Sequence, residues 1–174
     1  MKDFAALFTA IDQTTKTTVK TKALAGFFES ASDEDKLWTI ALFSGRRPKR
    51  AVNTTQLREW ASEVAGVPLW LLEESYPIVG DLAETIALIL PESEMVDDLP
   101  LSHWINELRA LHDVDNEARK ARILDAWSRL DATERFLFNK LITGGFRIGV
   151  SQKLMTRALA QATGGMVVNA DALQ

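Results

Sequence analysis

The chain has no cysteine, which removes disulfides and thiolate metal sites and suits a reducing cytoplasm. Histidine is almost as scarce. His103 and His112 stand nine residues apart rather than at the i, i+4 spacing of a helical metal pair. Long apolar runs are missing as well: Ile86 to Leu90 is far too short to cross a bilayer. At the N-terminus, Asp3 and amphipathic spacing stand where a signal peptide needs an unbroken apolar stretch. Sustained alternation with β-branched residues is absent, and so are a P-loop, a dinucleotide fingerprint and a nucleophile elbow. What is left is the expectation of a cytoplasmic, all-α protein with no membrane partner and no complete active site.

What is present is an ordinary globular balance, 47% apolar and 25% charged over 174 residues, enough for one sizeable helical domain. The net charge of −4 does not by itself point to nucleic acid, but its distribution does. Glu59 to Asp115 holds thirteen acidic residues and one basic, Arg109. Arg46 to Arg58 holds five basic residues and no acid, and Arg135 to Gly165 again holds five, Arg135, Lys140, Arg147, Lys153 and Arg157. Such segregation gives a mildly acidic chain one positive face.

Apolar residues recur at three and four residues in Phe4–Ile11, Leu24–Phe28, Leu37–Phe43, Leu57–Val64, Leu82–Leu90, Trp104–Leu111, Ile123–Leu130, Phe136–Ile142 and Leu154–Ala162, the spacing of amphipathic helices. Gly45, Gly66, Gly144 and Gly164 each follow such a run as a stop. Pro48, Pro68, Pro77, Pro91 and Pro100 punctuate the rest. The two ends of the chain also match at an offset of 99: Leu24 with Ile123, Phe28 with Trp127, Ser32 with Asp131, Leu37 with Phe136 and Gly45 with Gly144. Ser32 and Asp131 each precede an acid by three residues, Asp35 and Glu134, as in a capping box. With a one-residue adjustment Leu57 meets Met155 and Gly66 meets Gly164. The expected architecture is a compact multi-helix domain spanning 1–174, with internal pseudo-two-fold duplication. Its halves are about 1–66 and 100–165, joined by an acidic helical connection over 67–99.

In each half a helix stops at glycine, a turn follows, and a new helix begins. The first turn supplies Gly45, Arg46, Arg47, Lys49 and Arg50, with Thr54 at the start of the next helix. Asn53, Thr54 or Thr55 can cap that helix and leave first-turn amides for a phosphate oxygen. The second turn supplies Gly144, Gly145, Arg147 and Gly149, whose glycines allow close backbone approach. Ser151 is a cap for the last helix and Lys153 lies in its first turn, where a cation opposes the helix dipole until an anion arrives. A third segment, Thr14 to Lys22, offers Thr14, Lys16, Thr17 and Lys20 for phosphate contacts and reads equally well as a polar linker. Asp33, Glu34 and Asp35 suit a first helical turn, Glu73-Glu74 and Asp97-Asp98 a solvated surface, and the five tryptophans core packing.

The run Phe136-Leu137-Phe138-Asn139-Lys140-Leu141-Ile142-Thr143-Gly144-Gly145-Phe146-Arg147-Ile148-Gly149-Val150 resembles the end of the N-terminal DNA-binding domain of ATP-dependent DNA ligases. Tyr76-Pro77-Ile78-Val79-Gly80-Asp81-Leu82-Ala83-Glu84-Thr85 resembles that domain's Gly-Asp turn, and Thr17 to Phe28 its opening. Arg46–Arg50 and Leu69–Glu74 are similar to bacterial members. The resemblance implies an all-helical, pseudo-symmetric domain that grips nicked double-stranded DNA across the minor groove, mainly by phosphates and without reading sequence, for DNA repair, replication or recombination. Gly144, Arg147 and Gly149 match the family's glycine–arginine–glycine turn, while Gly145 stands where members often carry arginine.

The resemblance further implies that the catalytic lysine lies in a Lys-x-Asp-Gly motif of an adenylation domain, followed by an OB domain. No such motif occurs here. The expectation is therefore DNA binding without catalysis by this chain, with ATP and Mg2+ serving the full-length ligase. The partners are DNA and the adenylation domain of the same polypeptide, in a monomeric, nucleoid-associated cytoplasmic protein. A solenoid-type helical protein–protein interaction module is the leading rival, and a small helical hydrolase using clustered carboxylates with a metal is the second.

Overall fold

The computed structural model describes residues 1–146 and 148–164. Every regular element among them is helical: α1 (Lys2–Asp12), α2 (Thr17–Ser30), α3 (Asp33–Phe43), α4 (Thr54–Ala65), α5 (Leu69–Val79), α6 (Leu82–Ile89), α7 (Leu101–Ala110), a 3-10 turn (Leu111–Asp113), α8 (Asn116–Arg129), α9 (Ala132–Thr143) and α10 (Gln152–Ala162). The helix limits follow the sequence offset closely. Thr17–Ser30 and Asn116–Arg129 are 99 residues apart at both ends, and the caps Ser32 and Asp131 repeat that spacing.

The chain forms two compact units, and neither coincides with one half of the offset. The first comprises Met1–Arg47, Pro100–Ser102 and the described residues from Gly145 on; the second comprises Pro48–Leu99 and His103–Gly144. In the first unit α2 packs along both α1 and α10, burying Phe4, Leu7, Ile11, Leu24, Phe28, Leu42, Leu154 and Ala158. Asp35 shows how its helices are tied. Ser32 caps α3 by accepting from the Asp35 amide, but the Asp35 carboxylate accepts from Ser102 N at 2.9 Å. It therefore satisfies an open amide in the first turn of α7 rather than closing a capping box on α3.

In the second unit α6 packs on α9, and α4 touches α5, α6 and α8. The buried face includes Leu57, Trp60, Ile86, Trp104, Ile105, Ile123, Trp127, Leu137, Phe138 and Leu141. Asn139 is fully buried and satisfied: it accepts from Trp127 Nε1 at 2.8 Å and donates to Ala83 O at 3.2 Å. Leaving such a group unpaired would cost about 1–3 kcal/mol.

Several expectations are corrected by the structure. Gly45, Gly66 and Gly164 do end helices with positive φ, but Gly144 has φ −170°, an extended backbone open to any residue. Gly80 is the further left-handed stop, at φ 88°. Pro77 lies inside the last turn of α5 instead of breaking it. Trp70 on α5 is 60% exposed rather than core, whereas Trp60, Trp104 and Trp127 are buried. The basic run from Arg135 to Gly165 also loses two of its cations to internal work. Arg135 is 4% exposed and donates to Trp127 O, Pro91 O and Ser93 Oγ, and Lys140 pairs with Asp81.

The capping box predicted at Asp131 is complete. Asp131 accepts from the Glu134 amide at 2.9 Å, and Glu134 Oε1 accepts from Asp131 N at 3.2 Å. Glu134 is fully buried, and its Oε2 has no hydrogen-bond partner among the described residues. Burial, helped by Asp131, pushes its carboxyl up from 4.5 to about 7. In the unfolded chain the group loses its proton near 4.5, while the folded protein keeps it to about 7. The stability this contributes is full below 4.5 and is lost as pH rises through 7, by an amount of order 2 kcal/mol. Glu134→Gln keeps the cap acceptor without the charge. Urea unfolding at pH 5 and pH 8 is therefore expected to show wild type losing stability relative to this variant as pH rises; parallel behaviour of the two proteins would contradict the assignment.

Candidate nucleic-acid interface

Half of the α-helices among the described residues open with acids that suit their positive ends: Asp3 on α1, Asp33, Glu34 and Asp35 on α3, Glu84 on α6, Glu117 on α8 and Glu134 on α9. The first turns of α2, α4 and α10, which follow the candidate segments, contain no acid, and neither do those of α5 and α7. Asn53 caps α4 by accepting from Gln56 N at 2.8 Å, and Ser151 caps α10 by accepting from Leu154 N at 3.1 Å. Each cap satisfies one amide and leaves the preceding first-turn amides, at Thr54 and Thr55 and at Gln152 and Lys153, without an intrahelical partner. α2 begins at Lys16 with no side-chain cap at all. The Thr14 hydroxyl accepts from Lys16 N at 3.1 Å, one residue ahead of Thr17.

In the first unit two of the segments meet. Lys20, in the second turn of α2, donates from Nζ to Gly149 O at 3.2 Å. Gly149 has φ +62°, which favours glycine, and a Cβ there would meet only the flexible end of Lys20, Nζ at 3.2 Å. The glycine turn is held from below by alternate side chains. Phe146 and Ile148 are each 6% exposed, while Gly145 and Gly149 are exposed. The Phe146 ring lies 5.8 Å from Phe4, 5.8 Å from Phe8 and 6.4 Å from Phe43, edge-on in each case. A Cβ at Gly144 or Gly145 would meet nothing within 4 Å, which leaves the space beside the turn open. Arg147 lies outside the described residues.

Gly45 ends α3 with φ 88°; its amide donates to Leu42 O at 3.1 Å and that of Arg46 to Ala41 O at 2.9 Å. These bonds place Arg46 and Arg47 just past a helix C-terminus, where cations also serve the fold. Both are exposed, as are Lys16, Thr17, Ser151 and Lys153; Thr14 and Lys20 are partly covered. The second unit receives Lys49, Arg50, Thr54 and Gly144. The basic turn is thus divided between the units after Arg47, and the candidate residues are not gathered in one of them. Arg157 was not among the candidates, yet it is exposed one turn beyond Lys153; their i, i+4 spacing was readable in the sequence.

The turn's anchoring gives a direct test. Phe146→Ala should cost about 3–5 kcal/mol, and Gly149→Ala should lower stability by about 1 kcal/mol or more from positive φ alone. Thermal unfolding measures both. A neutral Gly149→Ala would contradict the described turn.

None of the curated proteins matches the sequence. The sequence model of the family described as DNA ligase N terminus matches residues 1–160, which takes in the ten α-helices among the described residues but the end of the last. The chain belongs to that family, the N-terminal domains of ATP-dependent DNA ligases.

Proposed function

We propose that this domain binds nicked duplex DNA without regard to sequence and positions the nick for sealing by the ligase. Membership of the family makes DNA the partner and ligation the process; the mode of binding is our reading. The observation that carries it is the joining of α2 to the glycine turn through Lys20 and Gly149, beside two helix N-termini without acids. Bare first-turn amides, the exposed Lys16 and Lys153, and glycines without Cβ atoms at 144, 145 and 149 suit phosphate oxygens. Base edges would demand side chains in a groove instead. In this reading Arg46, Arg47, Lys49 and Thr54 extend the contact along the backbone, and the minor groove is the face approached. The matching helix limits support a duplicated four-helix unit, α1–α4 and α7–α10, as its origin.

ATP and a divalent metal serve the full enzyme of this family. Among the described residues no group of three or more His, Asp or Glu is placed to hold a metal. In this reading the chemistry belongs to the adenylation domain, with this chain as its monomeric DNA-holding neighbour in a nucleoid-associated cytoplasmic ligase. No helix among the described residues is long and apolar enough to cross a membrane.

Fluorescence anisotropy with a labelled nicked duplex tests the reading. If ~6–8 phosphates are engaged, affinity falls by about three to four orders of magnitude between 50 and 200 mM salt. Alanine at both Lys16 and Lys153 is expected to lower the slope of log K against log salt by about 1.8. Absence of binding at low salt would return the solenoid-type interaction module to first place.

A further inference from the structure

The segment from Pro48 to Val52 has no regular secondary structure, yet buried side chains, the Arg50 guanidinium and the Lys49 carbonyl tie it to its neighbours. Pro48 and Val52 are buried at its two ends, beside Leu108, Leu111, Leu141 and Ile142. Between them Arg50 reaches the end of α9, donating from Nε to Ile142 O and from an Nη to Thr143 O, both at 3.2 Å. Those carbonyls belong to the last turn of a helix, where intrahelical donors run out, and a guanidinium there also meets the negative end of the dipole. From the 3-10 turn after α7, His112 Nε2 lies 2.9 Å from Lys49 O. A carbonyl only accepts, so Nε2 carries the proton and donates it.

These bonds divide the work of neighbouring cations. Arg50 serves as a C-terminal cap for another helix through two of its five N–H groups, and leaving that place for a phosphate would strand two carbonyls. Lys49 has its backbone held by His112, while its exposed side chain has no hydrogen-bond or ion-pair partner among the described residues. It stands four residues before the Asn53 cap and the open first-turn amides of α4. We propose that Lys49 is the phosphate contact of this part of the turn, and that His112 and Arg50 are positioning residues that hold it ready. This inference rests on the DNA-binding reading and assigns roles within it.

A preorganised contact and a direct one leave different signatures. A residue that touches phosphate contributes to counterion release and so to the salt slope. A residue that only orders the backbone lowers affinity through lost preorganisation and leaves the slope alone. Anisotropy on the whole 174-residue chain with a nicked duplex is read at several salt concentrations for K49A, R50A, H112A and H112Q, and for the double variant K49A/H112A.

Expected are a slope lowered by about 0.9 in K49A and unchanged slopes in R50A and H112A. Affinity should fall about 3- to 10-fold in H112A and recover in H112Q, whose amide can donate to Lys49 O. In the K49A background H112A should add nothing, since it acts through Lys49. H112Q keeps the question open to measurement if H112A or R50A folds poorly. A slope lowered by about 0.9 in R50A would overturn the assignment, because it makes Arg50 a phosphate ligand. Additive losses in the double variant would overturn it as well. Failure of wild type to bind at low salt would instead sink the DNA reading itself, and this inference with it.

Discussion

Phe146 is the hinge of the account because it holds a segment that could not hold itself. A turn rich in glycine loses much entropy on ordering, and Gly144, Gly145 and Gly149 bring no side chain to repay it. Burial of Phe146 against Phe4, Phe8 and Phe43, with Ile148 two residues on, supplies the fixing energy from the opposite side. Gly145 and Gly149 are thereby left exposed. Lys20 then fixes the carbonyl of Gly149, and Ser151 starts α10 immediately afterwards. One aromatic anchor, one ammonium and one hydroxyl cap thus shape the surface from beneath, along it and at its end.

A second constraint is electrostatic. Helix macrodipoles favour acids in first turns by roughly 0.3–1 kcal/mol each, and this protein accepts that gain on α3, α6, α8 and α9. It forgoes it on α2, α4 and α10, as on α5 and α7, and puts Lys153 into the first turn of α10. On the proposed function, a phosphate arriving at the starts of α2, α4 and α10 would supply the missing negative charge. Glu134 is the opposite case: its first-turn carboxyl is buried so deeply that the proton stays on to about 7, and its value lies in the cap it completes.

Much of the fold was legible because it depends on local spacing. The three- and four-residue apolar stripes marked nearly all the helices, and Ser32, Asn53, Asp131 and Ser151 cap where short polar residues should. α5 was harder to see, since Pro77 interrupts its pattern and its outward face carries Trp70 and Ile78, 60% and 88% exposed. Tertiary choices were not legible. Nothing local says that Asp35 would turn to Ser102, or that Arg135 and Lys140 would leave the basic run for a buried network and an ion pair with Asp81. The same holds for the site: the basic turn was visible as a run of charge, but the commitment of Arg50 to α9 depends on a partner 92 residues away in sequence.

The central claim is that phosphates meet backbone amides and lysines at the starts of α2, α4 and α10. Backbone amide chemical shifts, followed by NMR while nicked duplex is added, examine that claim residue by residue. The account predicts the largest changes at Thr17–Val19, Thr54–Gln56 and Gln152–Leu154, with little change along the acidic stretch from Glu59 to Glu84. Changes concentrated on α5 and α6, with those first-turn amides unmoved, would contradict it.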